Sequence, residues 1–379
     1  MQAYLDNSAT TRPCEAAIKA MTCCMREGYY NPSSVYKPAV DAFRRLREAR
    51  EHLLKPIHGE GCELYFTSGG TEGNNLAVLG AVTRMRGPQI VAVSAVEHPS
   101  VRAAFDALRD MGHDVRVIGV HADGSLCYDA LEKALSDGAS FVSCMQVNNE
   151  TGAVLDAKRL YETVAGRAIV HVDGVQGYLR VPFDMRYADL YTLSGHKIHA
   201  PKGIGALVVK KGVKLNPRQL GGGQESGVRS GTENTPGIAG LEAAAMSMLS
   251  LGTNMPGDLL AKKLRLIEGI RRGVPELIVN GPAPEDAAPH IVSLGFPQVR
   301  GEVMLHALES EGVYVSTGSA CSSKKLKVSA VLTAMGIRPE VAEWAVRFSL
   351  SPHTTDEEID YAAEKAGQLY AVLKRFQRR

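Results

Sequence analysis

Lys197 stands just past the apolar run "LYTL", in "SGHKIHAPKGIGALVV", and a glycine-bearing turn then leads into a second apolar run. A lysine between two buried strands is seldom an ordinary solvated cation. Desolvation there favours the neutral amine, the form that condenses with a carbonyl to give a Schiff base. Taken alone, the position also suits a lysine whose stem packs at a strand end while its ammonium reaches water. Asp173 follows another apolar run in "IVHVDGVQG", with Gln176 close behind. In open α/β sheets, ligands bind at the carboxyl ends of strands.

A strand-end Asp followed one βα unit later by a strand-end Lys suits pyridoxal phosphate. The carboxylate would hold the pyridine nitrogen protonated, and the ring could then accept electrons from a substrate carbon. "LYFTSGGTEGNN" reads as strand, glycine turn and helix start, with Thr71 as N-cap and Glu72 in the first turn. Free N–H groups there and the Thr71 hydroxyl make an anion site. A nucleotide loop fits poorly, because the Gly-Lys-Ser/Thr ending is missing and the Gly-x-Gly-x-x-Gly spacing is not met.

His98, in "VSAVEHPSV", falls after a strand and before Pro99, which opens the next helix. An imidazole there either stacks on an aromatic cofactor and relays protons or is structural. Asn148 and Asn149 of "CMQVNNETG" follow a further strand; one could donate into the site while the other caps a turn. Cys321, in "STGSACSSKK", has small residues around it, Gly318 upstream, and Lys324 and Lys325 downstream. That is the composition of an exposed loop, and the nearby positive charge favours the thiolate.

These residues need a scaffold, and the apolar pattern supplies one. Between about residues 62 and 210, the runs "ELYF", "QIVAV", "DVRVIGV", "SFVSCMQV", "AIVHV", "DLYTL" and "GALVV" alternate with amphipathic stretches such as "SVRAAFDALRDMG". The pattern predicts an α/β fold with a mainly parallel seven-stranded sheet covered by helices. After "SLGTNMPGD" the texture changes to short strands ("LIVN", "HIVSLGF", "VYVS") and helices, a smaller α+β domain. The expected division is 15–256 for the large, cofactor-binding domain, with 1–14 and 257–379 forming the small domain that carries the cysteine loop, about 316–327.

The 379 residues are 45% hydrophobic and carry a formal net charge of +2, with lysines and arginines spread along the chain. Nothing there favours nucleic acid or an anionic membrane, and "KRFQRR" at the end reads as a solvated helix terminus. "MQAYLDNSATT" has neither a basic segment nor an apolar core of the kind that directs export, and no apolar run nears a membrane span. A cytoplasmic protein is expected. The 7 cysteines include no Cys-x-x-Cys pair, so reduced thiols and no metal site are expected.

Taken in order, "YLDNSATT", "NPSS", "TSGGTEGNN", "EHPSV", "VNNETG", "HVDGVQ", "SGHKIHAPKGIGAL", "GGGQESGVRSGTEN", "STGSACSS" and "RFSLS" resemble the motifs of the NifS/IscS-type cysteine desulfurases. The resemblance implies a fold-type I pyridoxal 5'-phosphate enzyme, a homodimer, that converts L-cysteine to L-alanine and carries the sulfur as a persulfide to an acceptor such as an iron–sulfur scaffold. It implies that Lys197 bonds the cofactor covalently, Asp173 pairs with its ring nitrogen, Gln176 bonds its phenolate oxygen and His98 stacks on the ring. Gly70, Thr71, Ser194 and His196 would hold the phosphate, with Thr232 reaching it from the other subunit. Asn149 would lie by ring and substrate, Arg347 would clamp the substrate carboxylate, and Cys321 would be the nucleophile. The alternative readings are a selenocysteine lyase or aminotransferase on the same scaffold, or a non-catalytic sulfur-handling protein.

Several positions depart from the pattern. Tyr36 replaces a histidine, Ser226 an arginine and Ser351 a glycine, while Val328 and Ala330 stand where Pro-Ser-His is usual. None of these lies among the cofactor residues; they bear on the subgroup and on the sulfur acceptor.

Overall fold

The computed structural model describes residues 1–318 and 328–376. Its strands are β1 (Ala3–Tyr4), β2 (Glu63–Thr67), β3 (Ile90–Ser94), β4 (Asp114–Ile118), β5 (Ala139–Met145), β6 (Ile169–Asp173), β7 (Leu190–Ser194), β8 (Gly205–Val209), β9 (Ile278–Asn280), β10 (Ile291–Gly295), β11 (Val313–Tyr314) and β12 (Ala345–Ser349). Among the described residues, β2 to β8 form a seven-stranded sheet in the order β2-β8-β7-β6-β5-β3-β4. Neighbouring pairs are parallel except those involving β8. Every residue of β7 and β8 is buried, as expected of strands covered on both faces, and this is why those runs read as continuous rather than alternating apolar stretches.

The chain places β4 outside β3, then returns to lay β5, β6 and β7 on the opposite side. The strand order therefore reverses between β3 and β5, and the connections leaving their carboxyl ends part there and open a crevice. Three central strands are also cross-linked by side chains. His171 Nδ1 lies 2.8 Å from Ser143 Oγ on β5, and its Nε2 lies 3.0 Å from Thr192 Oγ1 on β7. Sliding either neighbour by one residue would turn these hydroxyls to the other face, so the pair pins the register.

The helix after β2 spans Gly70–Val82, and its cap is Gly69, not the expected Thr71, which falls inside the first turn. Gly69 has φ +152°, and a Cβ on Gly70 would stand 2.6 Å from Val175 Cγ2, so the two glycines make a turn that a larger cap could not. The same helix crosses β7 closely: a Cβ on Gly73 would lie 2.7 Å from Thr192 Cγ2. The helix expected after His98 holds. Pro99–Asp110 starts at the proline, with His98 as its N-cap.

Outside the large sheet, β1 pairs with β11, and β10 lies between β9 and β12 in an antiparallel sheet. An isolated bridge from Asp6 to Ser349 brings the first residues of the chain alongside β12, and another from Ser316 to Arg347 brings the segment after β11 there too. Arg347 is the middle residue of β12. The helices Met255–Gly273 and Asp356–Phe376 pack together, with Gly273 and Gly367 at the crossing. Among the described residues, no helix is long and apolar enough to cross a membrane.

Two measurements test these packing arguments. A Cβ on Gly174 would overlap the Tyr191 ring, whose hydroxyl donates to Gln146 Oε1 at 2.7 Å. Gly174→Ala should therefore cost about 1–3 kcal/mol of stability in thermal denaturation, and Tyr191→Leu in the same chain should recover part of that loss. Burial pulls the pKa of His171 down to about 3, so the folded state excludes a proton that the unfolded chain binds below about pH 6.5. Stability should fall as pH drops from 7 to 5. His171→Gln should flatten that slope by up to about 1.4 kcal/mol per pH unit, as read from denaturant midpoints.

Candidate active site

The turns that leave β2, β3, β5, β6 and β7 converge at the carboxyl edge of the sheet, beside the crevice. They carry Gly70 and Thr71, His98, Asn149, Asp173 with Gln176, and Ser194 with His196 and Lys197, respectively. Asp173, the last residue of β6, is 4% exposed. Its Oδ1 accepts the Val175 N–H at 3.0 Å, and its Oδ2 accepts Asn74 Nδ2 at 2.8 Å. Burial pushes its pKa up, while the Val175 N–H, His98, Asn74 and Lys197 pull it down without cancelling the rise. A cation against the open side of this carboxylate would favour its charged form.

Lys197 ends the short turn Gly195–Lys197 after β7, and its Nζ donates to the carbonyls of Ser8 at 2.5 Å and Ala9 at 2.7 Å. Gln176 Nε2 donates to the same Ser8 carbonyl at 2.9 Å. The segment "DNSATT" therefore lies across the site, anchored by Thr11, whose N–H and hydroxyl both donate to the His196 carbonyl. Behind these residues, the buried guanidinium of Arg180 donates to Gln176 Oε1 at 3.2 Å and to the Lys197 carbonyl. A guanidinium only donates, so this contact fixes the Gln176 amide with its oxygen inward and its N–H groups toward the site.

Arg347 is 7% exposed; it donates to Asp6 Oδ1 at 2.7 Å and to the Asn149 carbonyl at 2.9 Å, while its Nε lies buried with no hydrogen-bond partner among the described residues. Of the two asparagines, Asn148 holds the turn: its Oδ1 accepts the N–H groups of Glu150 and Thr151. Asn149 meets the site through its backbone carbonyl, which accepts from Arg347. Glu150 Oε2 accepts the Ser329 hydroxyl at 2.5 Å and also lies against Gly318. Burial raises its pKa to about 6, against the pull of Ser329, Arg347 and Arg102.

The pyridoxal phosphate implied by the sequence fits these residues. Ser194 Oγ is a buried hydroxyl with no partner among the described residues, and it lies near Gly69 at the start of the helix Gly70–Val82. A Cβ on Gly205 would come within 2.8 Å of the Gly69 Cα, so the backbone there forms a tight cradle that only small residues permit. Free N–H groups of the helix start, the Ser194 hydroxyl and the half-buried His196 suit a phosphate. Burial, with Lys197, Lys202 and Arg180 nearby, lowers the pKa of His196 to about 4, so it offers a neutral ring. The buried Asp173 carboxylate suits a cationic ring nitrogen.

Thr232 is exposed in the single chain. Cys321 lies outside the described residues. Of the departures, Tyr36 is exposed, Ser226 occupies left-handed backbone at φ 56°, and Val328 packs on the apolar cluster around Met145 and Met335. Ala330 opens the short helix Ala330–Ala334, and the Ser351 hydroxyl accepts the His353 N–H.

Sequence reasoning missed Asp6, Asn74, Ser100, Glu150 and Arg180. Each belongs to a quoted motif or its immediate continuation, but Asp6, Asn74, Ser100 and Glu150 neither stand at a predicted strand end nor break a local pattern. Only Arg180, a cation in the run "GYLRVPF", offered a signal.

The family model "Aminotransferase class-V" matches residues 3–362. A cysteine desulfurase of Trichormus azollae is 37% identical over 375 residues, 98% of this chain and 93% of that protein. A solved NifS-like protein superposes with a TM-score of 0.90 at 31% identity, covering 98% of this chain and 100% of that one. A solved structure of SspA in complex with cysteine superposes with a TM-score of 0.80 at 27% identity, covering 93% and 100%. On a match that runs nearly from end to end, the chain belongs to the class-V aminotransferase family.

Proposed function

We propose that the chain is an L-cysteine desulfurase that uses pyridoxal 5'-phosphate, releases L-alanine and holds the sulfur on Cys321 before an acceptor takes it. The observation that carries this reading is the buried Asp173 carboxylate, saturated by donors on one side, in the same strand-end cluster as the Lys197 amine. The names of the relatives and the cysteine-bound neighbour support the substrate.

Lys197, Asp173, Gln176, Gly70, Thr71, Ser194 and His196 would hold the cofactor, with His98 on its ring. Bound there, the cofactor supplies an electron sink that weakens the bonds of the substrate α-carbon and lets its neighbour part from sulfur. Asp173, fixed by the Val175 N–H and Asn74, keeps a negative charge against the ring nitrogen. Lys197 would take and return protons through its amine in the neutral form. Arg347 binds the substrate carboxylate through its planar fork, and Asn149 shapes the same wall. The Cys321 thiolate attacks the substrate sulfur, the carbon–sulfur bond breaks toward carbon, and a proton completes the methyl group of alanine. The leaving sulfur stays on Cys321 as a persulfide.

A homodimer completes the site, with Thr232 reaching the phosphate of the other subunit. Tyr29, Val35, Tyr36, Val40, Phe43 and Leu220 are large apolar side chains left exposed in the single chain, and these support a partner surface. The division at about 14 and 257, a cytoplasmic location and an iron–sulfur scaffold as acceptor belong to the same reading.

Purified protein should absorb visible light from its cofactor, and Lys197→Ala should lose that band. Cys321→Ser should keep the band yet release sulfide from cysteine more than about 100-fold more slowly, and mass spectrometry should find one added sulfur on the wild-type Cys321 peptide only. A variant desulfurating at the wild-type rate would sink the persulfide route. Arg347→Lys loses the bidentate geometry and should raise the KM for cysteine by about 10-fold or more, with a smaller change in kcat.

A further inference from the structure

Two donors converge on His98 Nδ1: the backbone N–H of Ser100 at 3.1 Å and the Ser100 hydroxyl at 2.8 Å. A backbone N–H can only donate, so Nδ1 must offer its lone pair, and the proton of the neutral ring sits on Nε2. The hydroxyl has a direction too. Ser100 Oγ accepts one hydrogen of Asn74 Nδ2 at 2.9 Å, and the other hydrogen of that nitrogen goes to Asp173 Oδ2 at 2.8 Å. Turning the Asn74 amide around would set its oxygen against the carboxylate, so charge repulsion selects this orientation. The result is a one-way chain in which Asn74 donates to both Asp173 and Ser100, and Ser100 donates to His98. Backbone N–H groups close both ends, that of Val175 on Asp173 and that of Ser100 on His98.

We propose that Asn74 and Ser100 are positioning residues that hold His98 as its neutral Nε2–H form, so that His98 gives the substrate a hydrogen bond and leaves proton acceptance to Lys197. The identity of the substrate rests on the desulfurase reading; the hydrogen-bond chain stands without it. A second proton on His98 would have to sit on Nδ1, facing the Ser100 N–H. Burial opposes it most, Asp173 favours it, and Lys197 and Arg102 oppose it, with the balance below the ordinary histidine value. Nε2 has no hydrogen-bond partner among the described residues, so its N–H is available to an anionic group such as a substrate thiolate. In the proton transfer itself, the substrate proton moves to the neutral Lys197 amine, which becomes ammonium, and His98 keeps the proton it began with.

The test is a long-range 1H–15N correlation spectrum of full-length protein labelled at histidine, as isolated and with pyridoxal phosphate added. His98 is identified by the signals that vanish in His98→Gln. At pH 7 to 9 its Nδ1 should be bare and its Nε2 protonated, and followed down to pH 4 it should take its second proton only below the ordinary histidine value. A proton on Nδ1 at neutral pH, or a midpoint at or above the ordinary histidine value, overturns the assignment. Ser100→Ala removes one of the two donors to Nδ1 and should raise the pH at which His98 protonates by roughly one unit, while Ser100→Thr should restore the wild-type value. An unmoved midpoint in Ser100→Ala denies Ser100 the role, even if the variant melts earlier. Failure to bind the cofactor would defeat the desulfurase reading, and the wild-type spectrum would still decide the state of His98.

Discussion

Taking a carboxylate out of water costs several kcal/mol unless its oxygens are satisfied, and the site is organised around meeting that need at Asp173. One oxygen is met by a backbone N–H two residues on, the other by the Asn74 amide. Asn74 can reach it only because the helix Gly70–Val82 lies close against the sheet, and that approach depends on Gly70 against Val175 and Gly73 against Thr192. The glycines of "TSGGTEG" thus serve the carboxylate as much as any phosphate. Because Asn74 also bonds Ser100, the demand made by Asp173 extends to the orientation of His98.

The N-terminal segment is the second organising element. Asp6 pairs with Arg347, Ser8 and Ala9 offer carbonyls to Lys197 and Gln176, and Thr10 reaches His196. Five of these contacts join residues far apart in the chain, and β1 with β11 holds the segment in place. With the Arg347 guanidinium on Asp6 and the Asn149 carbonyl, its pose is set by the chain's own residues. Arg180, buried behind Gln176 and Lys197, plays the matching part from the opposite side, and burial pulls its pKa down to about 9.

Much of the fold was legible in the sequence because the central strands are buried on both faces and read as unbroken apolar runs. "GALVV" corresponds residue for residue to β8. The candidate site residues were legible for a related reason: Asp173, Lys197 and His98 are polar residues placed where such a run stops. Thr71 lies two residues past the true cap, Gly69, since a threonine reads as a cap from its chemistry alone. The choice between Asn148 and Asn149 was left open by two identical neighbours and decided by which side chain faced the Glu150 and Thr151 N–H groups.

The sequence by itself determined the alternation of strands and helices, the carboxyl-end position of the chemical groups and the glycines that let backbones meet, because each is written in local periodicity or in a residue type. The tertiary structure alone decided that Asn74 lies between Asp173 and Ser100, that Asp6 faces Arg347 and that Arg180 backs Gln176. The first two pairings join residues separated by 26 to 341 positions, and the third depends on how the turn after β6 folds back behind the site. A hydrogen bond is settled by distances of a few tenths of an ångström between such partners, and no local pattern carries that information.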